Sequence, residues 1–279
     1  RDLVRSRGLG DVYKRQELLV NFIKNEVHKT GLKKGVIGLS GGIDSAVSTY
    51  LTVKALGKEN VLCCLMPYKT SSQNSLDDAI LCVNDLGVRH KVISISKMVD
   101  GYLDEINGAG ISNVRKGNVM ARSRMIVLYD QSAEENALVI GTGNKTEILL
   151  GYSTLYGDSA SAINPVGDLY KTQLIELAKH LKIPQSIINK KPSADLWEGQ
   201  TDEAEMGFTY ENVDKYLYLK IDERRSDDEI KKLGFDEQFM KTVNSMIIRN
   251  QFKRVPPVIA KVSNRTVNID FRYNRDWNM

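Results

Sequence analysis

Val36-Ile37-Gly38-Leu39-Ser40-Gly41-Gly42-Ile43-Asp44-Ser45 opens with apolar residues that read as a buried strand. It then turns through Ser-Gly-Gly into Ile43, Val47, Tyr50 and Leu51, spaced i, i+4, i+7 and i+8. The stretch predicts a strand, a glycine turn and a helix. Two glycines permit φ > 0 and let backbone N–H groups approach an anion, with Ser40, Asp44 and Ser45 at the start of the helix. A phosphate is the expected occupant. The turn is not the common phosphate loop G-x-x-x-x-G-K-[ST], because Ile43 and Asp44 stand where that loop needs Lys, and G-x-G-x-x-G is also absent. An acid inside an anion site makes sense if Asp44 holds Mg²⁺ that the phosphates share.

The remaining chain gives that loop a setting. Its 279 residues are 42% hydrophobic and 27% charged, enough for a sizeable core in one large domain or two small ones. No run is long and apolar enough for a membrane span and no apolar signal core opens the chain, so a cytoplasmic enzyme is expected. The formal charge is +4, but residues 1–15 hold five Arg or Lys against two Asp, which leaves only +1 for the rest. That balance gives no reason to expect nucleic acid. Residues 1–15 also lack an initiator Met and a clear period over Arg1–Asp11. They are expected to be a leader foreign to the domain, which then spans 16–257 and is followed by a tail over 258–279. Cys63, Cys64 and Cys82 form no C-x-x-C pair and read as buried free thiols. His28, His90 and His180 show no ligand spacing.

Taken in order, Leu18, Leu19, Phe22, Ile23 and Val27 predict a helix from Gln16 that Thr30-Gly31 ends. Val61 to Met66, stopped by Pro67, reads as a second buried strand. Ser71–Ser75 leads into a helix through Ala79, Ile80, Val83 and Leu86, and Lys91–Ile95 reads as a third strand. A long helix over Val114–Ser132 is expected to turn Val114, Ala121, Met125, Leu128 and Ser132 to one face, with Arg122 and Arg124 beside it. Leu138-Val139-Ile140 is a further strand. The alternation predicts an α/β fold, a parallel twisted sheet with helices on both faces, which binds ligands beyond the carboxyl ends of its strands. Met66–Thr70 is then a candidate wall for adenine and ribose. Gly141-Thr142-Gly143-Asn144-Lys145-Thr146-Glu147 is a second half-site, where Thr142 can hydrogen-bond a nucleotide and Glu147 can join Asp44 on Mg²⁺.

The loop Ser40–Ser45 resembles the S-G-G-x-D-S pyrophosphate loop of the ATP pyrophosphatases, with their adenine nucleotide alpha hydrolase-like, Rossmann-like fold. Five ordered segments narrow the resemblance to NAD⁺ synthetase over roughly Gln16–Pro257. They are Gly117–Arg122, Gly141–Glu147, Gly151–Asp158, Ile163–Thr172 and Lys191–Leu196. The resemblance implies a homodimer that adenylates the nicotinate carboxylate of deamido-NAD⁺ with ATP, releases pyrophosphate and lets ammonia displace AMP. It implies that Gly38, Leu39, Ser40, Gly41, Gly42, Ile43, Asp44, Ser45, Thr142, Lys171 and Ser193 bind ATP. Asp44 and Glu147 would hold Mg²⁺, Asp44 and Lys171 would be catalytic, and Arg122 and Lys253 would contact deamido-NAD⁺. Lys171 lies off the Tyr170, Leu174, Leu177 and Leu181 face of its helix and is expected to be free to reach a phosphate.

Departures from the family pattern fall at Leu155, where many members carry Lys, at Ser159–Ala162, where they carry Gly-Gly-Ala-Asp, and at Phe252 of the His-Lys pair. Ser193–Glu203 resembles a mobile loop that closes over the site and excludes water. The motifs fill nearly all of the chain, so ammonia rather than glutamine is the expected donor. Two other readings compete. A tRNA-thiolating pyrophosphatase calls for a basic surface and a cysteine pair, and a non-catalytic nucleotide-binding module would lack the paired carboxylates.

Overall fold

The computed structural model describes residues 9–108, 110–193, 196 and 199–271. In chain order the elements are α1 (Leu9–Lys29), β1 (Lys34–Gly38), α2 (Ile43–Leu56), β2 (Val61–Leu65), α3 (Gln73–Leu86), β3 (Arg89–Val92), α4 (Ser96–Glu105) and α5 (Asn113–Glu135). They continue with β4 (Ala137–Ile140), α6 (Lys145–Leu150), α7 (Lys171–His180), α8 (Gln185–Ile188), α9 (Asp202–Met206), α10 (Tyr210–Leu217), α11 (Asp227–Lys232) and α12 (Glu237–Arg249). The four strands are parallel in the order β3-β2-β1-β4.

Alternation along the strands explains why both faces are covered. Ile37, Val61, Cys63, Leu65 and Leu138 point into a core shared with α1, α2, α3 and α7. Val36, Leu62, Cys64 and Ala137 point the other way, against Leu128 of α5. Burial pushes the Cys63 and Cys82 thiols up to about 12 and that of Cys64 to about 11, so none is a ready thiolate. A third apolar cluster joins Leu150, Tyr170, Tyr210, Val213, Tyr216 and Val243, gathering α6, α10 and α12 around the start of α7.

The chain runs outward from β1 through β2 to β3, then returns to β4 on the opposite side of β1. The strand order therefore reverses between β1 and β4. Loops leaving the carboxyl ends of these two strands diverge there and open a crevice. Those loops are Leu39–Gly42 and Gly141–Asn144.

Three expectations are corrected. The first helix starts at Leu9 rather than Gln16, with Val12 buried in the core, while residues 1–8 of the stretch 1–15 expected as a leader lie outside the described residues. Leu18, assigned to the buried face, is 66% exposed because that face follows Leu19, Ile23 and Val27. The third strand is Arg89–Val92, not Lys91–Ile95, because its ladder must follow β2, which ends at Leu65 before Pro67. As an edge strand it is polar, and Arg89 and Lys91 are tied to Glu135 and Glu134 of α5. Val114, at the outer end of α5, is 61% exposed but faces the same crevice as Ala121, Met125 and Leu128, as expected.

Candidate active site

Gly41 adopts φ +78°, and a Cβ added there would lie 2.0 Å from the Ser75 carbonyl oxygen. Only glycine lets the turn pass under the first turn of α3. The loop is then held by its own hydroxyls. Ser45 Oγ donates to the Gly42 carbonyl at 2.9 Å and accepts from Ser40 N at 3.2 Å, while Gly42 N donates to Ser40 Oγ at 3.3 Å. Gly42 caps α2, which places Asp44 in the first turn of the helix, where a carboxylate is favoured by the dipole.

Across the crevice, Asn144 caps α6 in a reciprocal box: its Oδ1 accepts from Glu147 N at 2.9 Å, and Glu147 Oε2 accepts from Asn144 N at 3.2 Å. The same buried side chain donates through Nδ2 to Asp44 Oδ1 at 2.8 Å. One amide thus orients both acids. Asn144 had no role in the sequence reading, although an Asn three residues before Glu is a recognisable cap.

Between the acids stands Lys171, the first residue of α7. Its Nζ is 2.5 Å from Asp44 Oδ2 and 3.5 Å from Glu147 Oε1, and its side chain is 2% exposed. Lys171 was expected off the core face and free to reach a phosphate; it does line the crevice, but from a buried position under the Tyr210 ring and already paired with Asp44. Burial opposes its charge, but Asp44 and Glu147 more than offset this and raise its pKa. Burial and the neighbouring Asp44 charge push Glu147 up to about 8, against the opposing effect of Lys171. Two hard carboxylate oxygens converging on one cationic nitrogen fit the donor set of Mg²⁺.

These groups open on a cavity of about 1210 Å³, whose walls include Ser40, Asp44, Thr142, Glu147, Lys171 and Ser193. Gly38, Leu39, Gly42, Ile43, Ser45 and Lys253 also line it, as do Met66, Pro67 and Thr70 of the expected adenine wall. Gly41 is turned onto Ser75 instead. Arg122 stands outside: it is exposed, and its Nε donates to the Leu155 carbonyl at 3.2 Å. Arg124 lines the cavity, with Nε 3.1 Å from the Met66 carbonyl. The spacing Ala121, Arg124, Met125, Leu128 is i, i+3, i+4, i+7, so helical period marks Arg124 as the inward arginine. Lys253 Nζ donates to the carbonyls of Gly151 at 2.6 Å and Ser153 at 2.7 Å, fastening the cavity wall. The loop expected to close the site runs partly outside the described residues, at 194, 195, 197 and 198.

A model of the NAD synthase family matches residues 15–257. The chain belongs to the NAD synthase family. It is 57% identical over 262 residues, 94% of each chain, to the NH₃-dependent NAD⁺ synthetase of Chlorobaculum tepidum. Its fold matches the NH₃-dependent NAD synthetase of Campylobacter jejuni with a TM-score of 0.77 at 36% identity, covering 90% of this chain and 100% of that one. The NMN synthetase of Francisella tularensis matches with a TM-score of 0.80 at 34% identity, covering 89% and 98%. Set against the family pattern, the departures fall outside the carboxylate–lysine cluster of this NAD synthase. Phe252 is 56% exposed, Leu155 is the residue that holds Arg122, and Ala162 extends the sheet by donating its N–H to the Val139 carbonyl at 2.9 Å.

The raised Glu147 has a consequence for stability. Its folded value of about 8 lies above the ordinary 4.5, so the folded chain retains a proton that the unfolded chain releases. That contribution is complete below about 4.5 and is lost as pH rises through about 8. Without Mg²⁺, the wild-type Tm is expected to fall a few degrees further than that of Glu147→Gln between about pH 6 and about pH 9. Thermal melts followed by circular dichroism check this, and parallel curves would remove Glu147 as the source.

Proposed function

We propose that the crevice between β1 and β4 is where this NAD synthase adenylates and then amidates its substrate. The reaction is the ATP-dependent amidation of deamido-NAD⁺ with ammonia, yielding NAD⁺, AMP and pyrophosphate. The observation that carries the assignment of the site is Lys171 held between Asp44 and Glu147, directly beside the Ser40–Ser45 turn.

A carboxylate is a poor electrophile, and attack by one of its oxygens on the α-phosphorus of ATP makes AMP its leaving group. Both reactants are anionic, so positioning and charge neutralisation supply most of the rate. The turn at Ser40–Ser45 grips the departing pyrophosphate, and Thr142 and Ser193 hold the nucleotide. Lys171 keeps a permanent positive charge at the phosphates and sets the distance between the acids. Asp44 and Glu147 would hold Mg²⁺, which when bound shares phosphate oxygens and withdraws charge from them. Ammonia then adds to the acyl carbonyl, and the bond to the AMP oxygen breaks.

A second copy of the chain is the proposed cover for the outward face of α5, where Ile126 and Tyr129 are 53% and 42% exposed. Arg122 precedes them by four and seven residues and shares that face, so a dimer built there would bring its guanidinium to substrate bound between copies. Dependence on ATP suits a cytoplasmic setting, and no described helix is long and apolar enough to cross a membrane.

Mass spectrometry after mixing the chain with ATP, Mg²⁺, deamido-NAD⁺ and ammonium is expected to find NAD⁺ and AMP in equal amounts. Glutamine in place of ammonium should give no comparable rate. A parallel arm with nicotinate mononucleotide addresses the product named for the Francisella structure. Faster turnover in that arm, or ADP in place of AMP, would contradict the assignment.

A further inference from the structure

Asp214 is a fully buried carboxylate on α10 that neither faces the cavity nor enters the chemistry above. Such a group is costly in an apolar cluster unless both oxygens are satisfied. Here they are. Oδ1 accepts from Thr146 Oγ1 at 2.6 Å and Oδ2 accepts from Thr172 N at 2.8 Å. Thr146 Oγ1 in turn accepts from Lys171 N at 3.1 Å.

The first two N–H groups of α7, those of Lys171 and Thr172, are thus capped by other helices. A hydroxyl from α6 and a carboxylate from α10 satisfy these two N–H groups, while the Tyr170 phenol donates to Asp222 and Gln173 caps the Tyr170 N–H. A negative charge at that end is also favoured by the helix dipole. The arrangement has a geometric result. Thr146 immediately precedes Glu147, and Lys171 is the residue whose N–H the Thr146 hydroxyl holds, so one side chain links the backbones carrying both members of the ion pair.

We infer that Asp214, acting through Thr146 Oγ1, is a positioning residue that fixes where Lys171 Nζ stands between Asp44 and Glu147. Burial raises the Asp214 carboxyl, while its bonds to Thr146 and Thr172 work against that rise. An Asn at 214 has one acceptor for two donors and turns an amide N–H₂ toward one of them. The start of α7 then shifts, and the ammonium with it.

The inference rests on the proposed reading of the cavity, and the experiment separates the two. Steady-state turnover is measured for wild type, Asp214→Asn, Thr146→Val, Thr146→Ser and the double variant Asp214→Asn/Thr146→Val. All are assayed below the Tm of the least stable. Thr146→Val is isosteric and lacks the hydroxyl, so kcat should fall about tenfold with the KM for ammonia unchanged. Thr146→Ser restores the hydroxyl and should return kcat to within about twofold of wild type. The double variant should be no worse than the weaker single variant, since both break one chain of bonds.

Equal kcat for the Val and Ser variants, or multiplicative losses in the double variant, overturns the inference. If Asp214→Asn does not fold, the Val and Ser variants alone decide it. Should wild type itself show no turnover, the reading of the cavity fails. Crystal structures of wild type and Thr146→Val then test the positioning, and Nζ beside Asp44 in both overturns it.

Discussion

Asp44→Asn is expected to lower kcat by about a thousandfold or more, equivalent to a barrier raised by about 4 kcal/mol. The substitution preserves volume and leaves an oxygen able to accept the 2.8 Å bond from Asn144. It removes the charge that faces Lys171 at 2.5 Å and half of the carboxylate pair offered to Mg²⁺. The loss is therefore electrostatic rather than steric, and it falls where negative phosphate and negative substrate must meet. The fold should survive, because the buried ammonium retains Glu147. Steady-state kinetics paired with a thermal melt reads both quantities. Turnover within tenfold of wild type would remove Asp44 from the chemistry, and a collapsed melt would make the substitution a folding defect.

Gly41→Ala is expected to abolish nucleotide binding and to destabilise the chain by about 2–5 kcal/mol. Two costs add. A non-glycine residue held at positive φ loses about 1–3 kcal/mol, and the new methyl overlaps a backbone carbonyl that cannot rotate away. Ser75 O, 2.0 Å from the added Cβ, belongs to α3, so relief requires moving either that helix or the turn. Either movement spoils the anion site. Gly31→Ala is the matched control, since Gly31 has φ +76° but an added Cβ there meets nothing within 4 Å. It should show the backbone cost alone, with ATP affinity unchanged. Calorimetric titration of Mg²⁺–ATP against both variants makes the comparison. Equal behaviour of the two would mean that the clash with Ser75 is relieved at little cost.

The turn was legible because its chemistry is contiguous: a strand, Ser40-Gly41-Gly42 and Asp44 announce an anion site within one stretch. Glu147 was legible for the same reason on the other side of the switch point, and sequence order correctly put both loops beyond parallel strands. What escaped depends on partners distant in the chain. Lys171 looked free on the helical wheel of α7, yet Tyr210 of α10 covers it and Asp44 holds it, more than a hundred residues away. Asn144 could be recognised as a cap for Glu147, but its second bond to Asp44 exists only once the two loops meet. Asp214 sits in an ordinary amphipathic pattern, and nothing local marks it as the cap of another helix.

The misplaced elements have equally physical causes. Val92, Ile93 and Ile95 suggested a strand further along, but pairing with β2 fixes β3 at Arg89–Val92, and Ile95 goes to the small core under α4 instead. The resemblance assigned Arg122 to deamido-NAD⁺ and gave Arg124 no role. The helical period puts Arg124 on the cavity face and leaves Arg122 outward, where a second copy is its proposed route to substrate.

The direct test is the fate of oxygen in the substrate carboxylate. If one of its oxygens attacks the α-phosphorus of ATP and the acyl–oxygen bond later breaks under attack by ammonia, that oxygen leaves with AMP. Deamido-NAD⁺ labelled with ¹⁸O in the nicotinate carboxylate is incubated with the chain, ATP, Mg²⁺ and ammonium, and the products are weighed by mass spectrometry. One ¹⁸O in AMP and none in pyrophosphate is the expected result. Unlabelled AMP, or label in pyrophosphate or inorganic phosphate, would contradict an adenylated intermediate formed at this site.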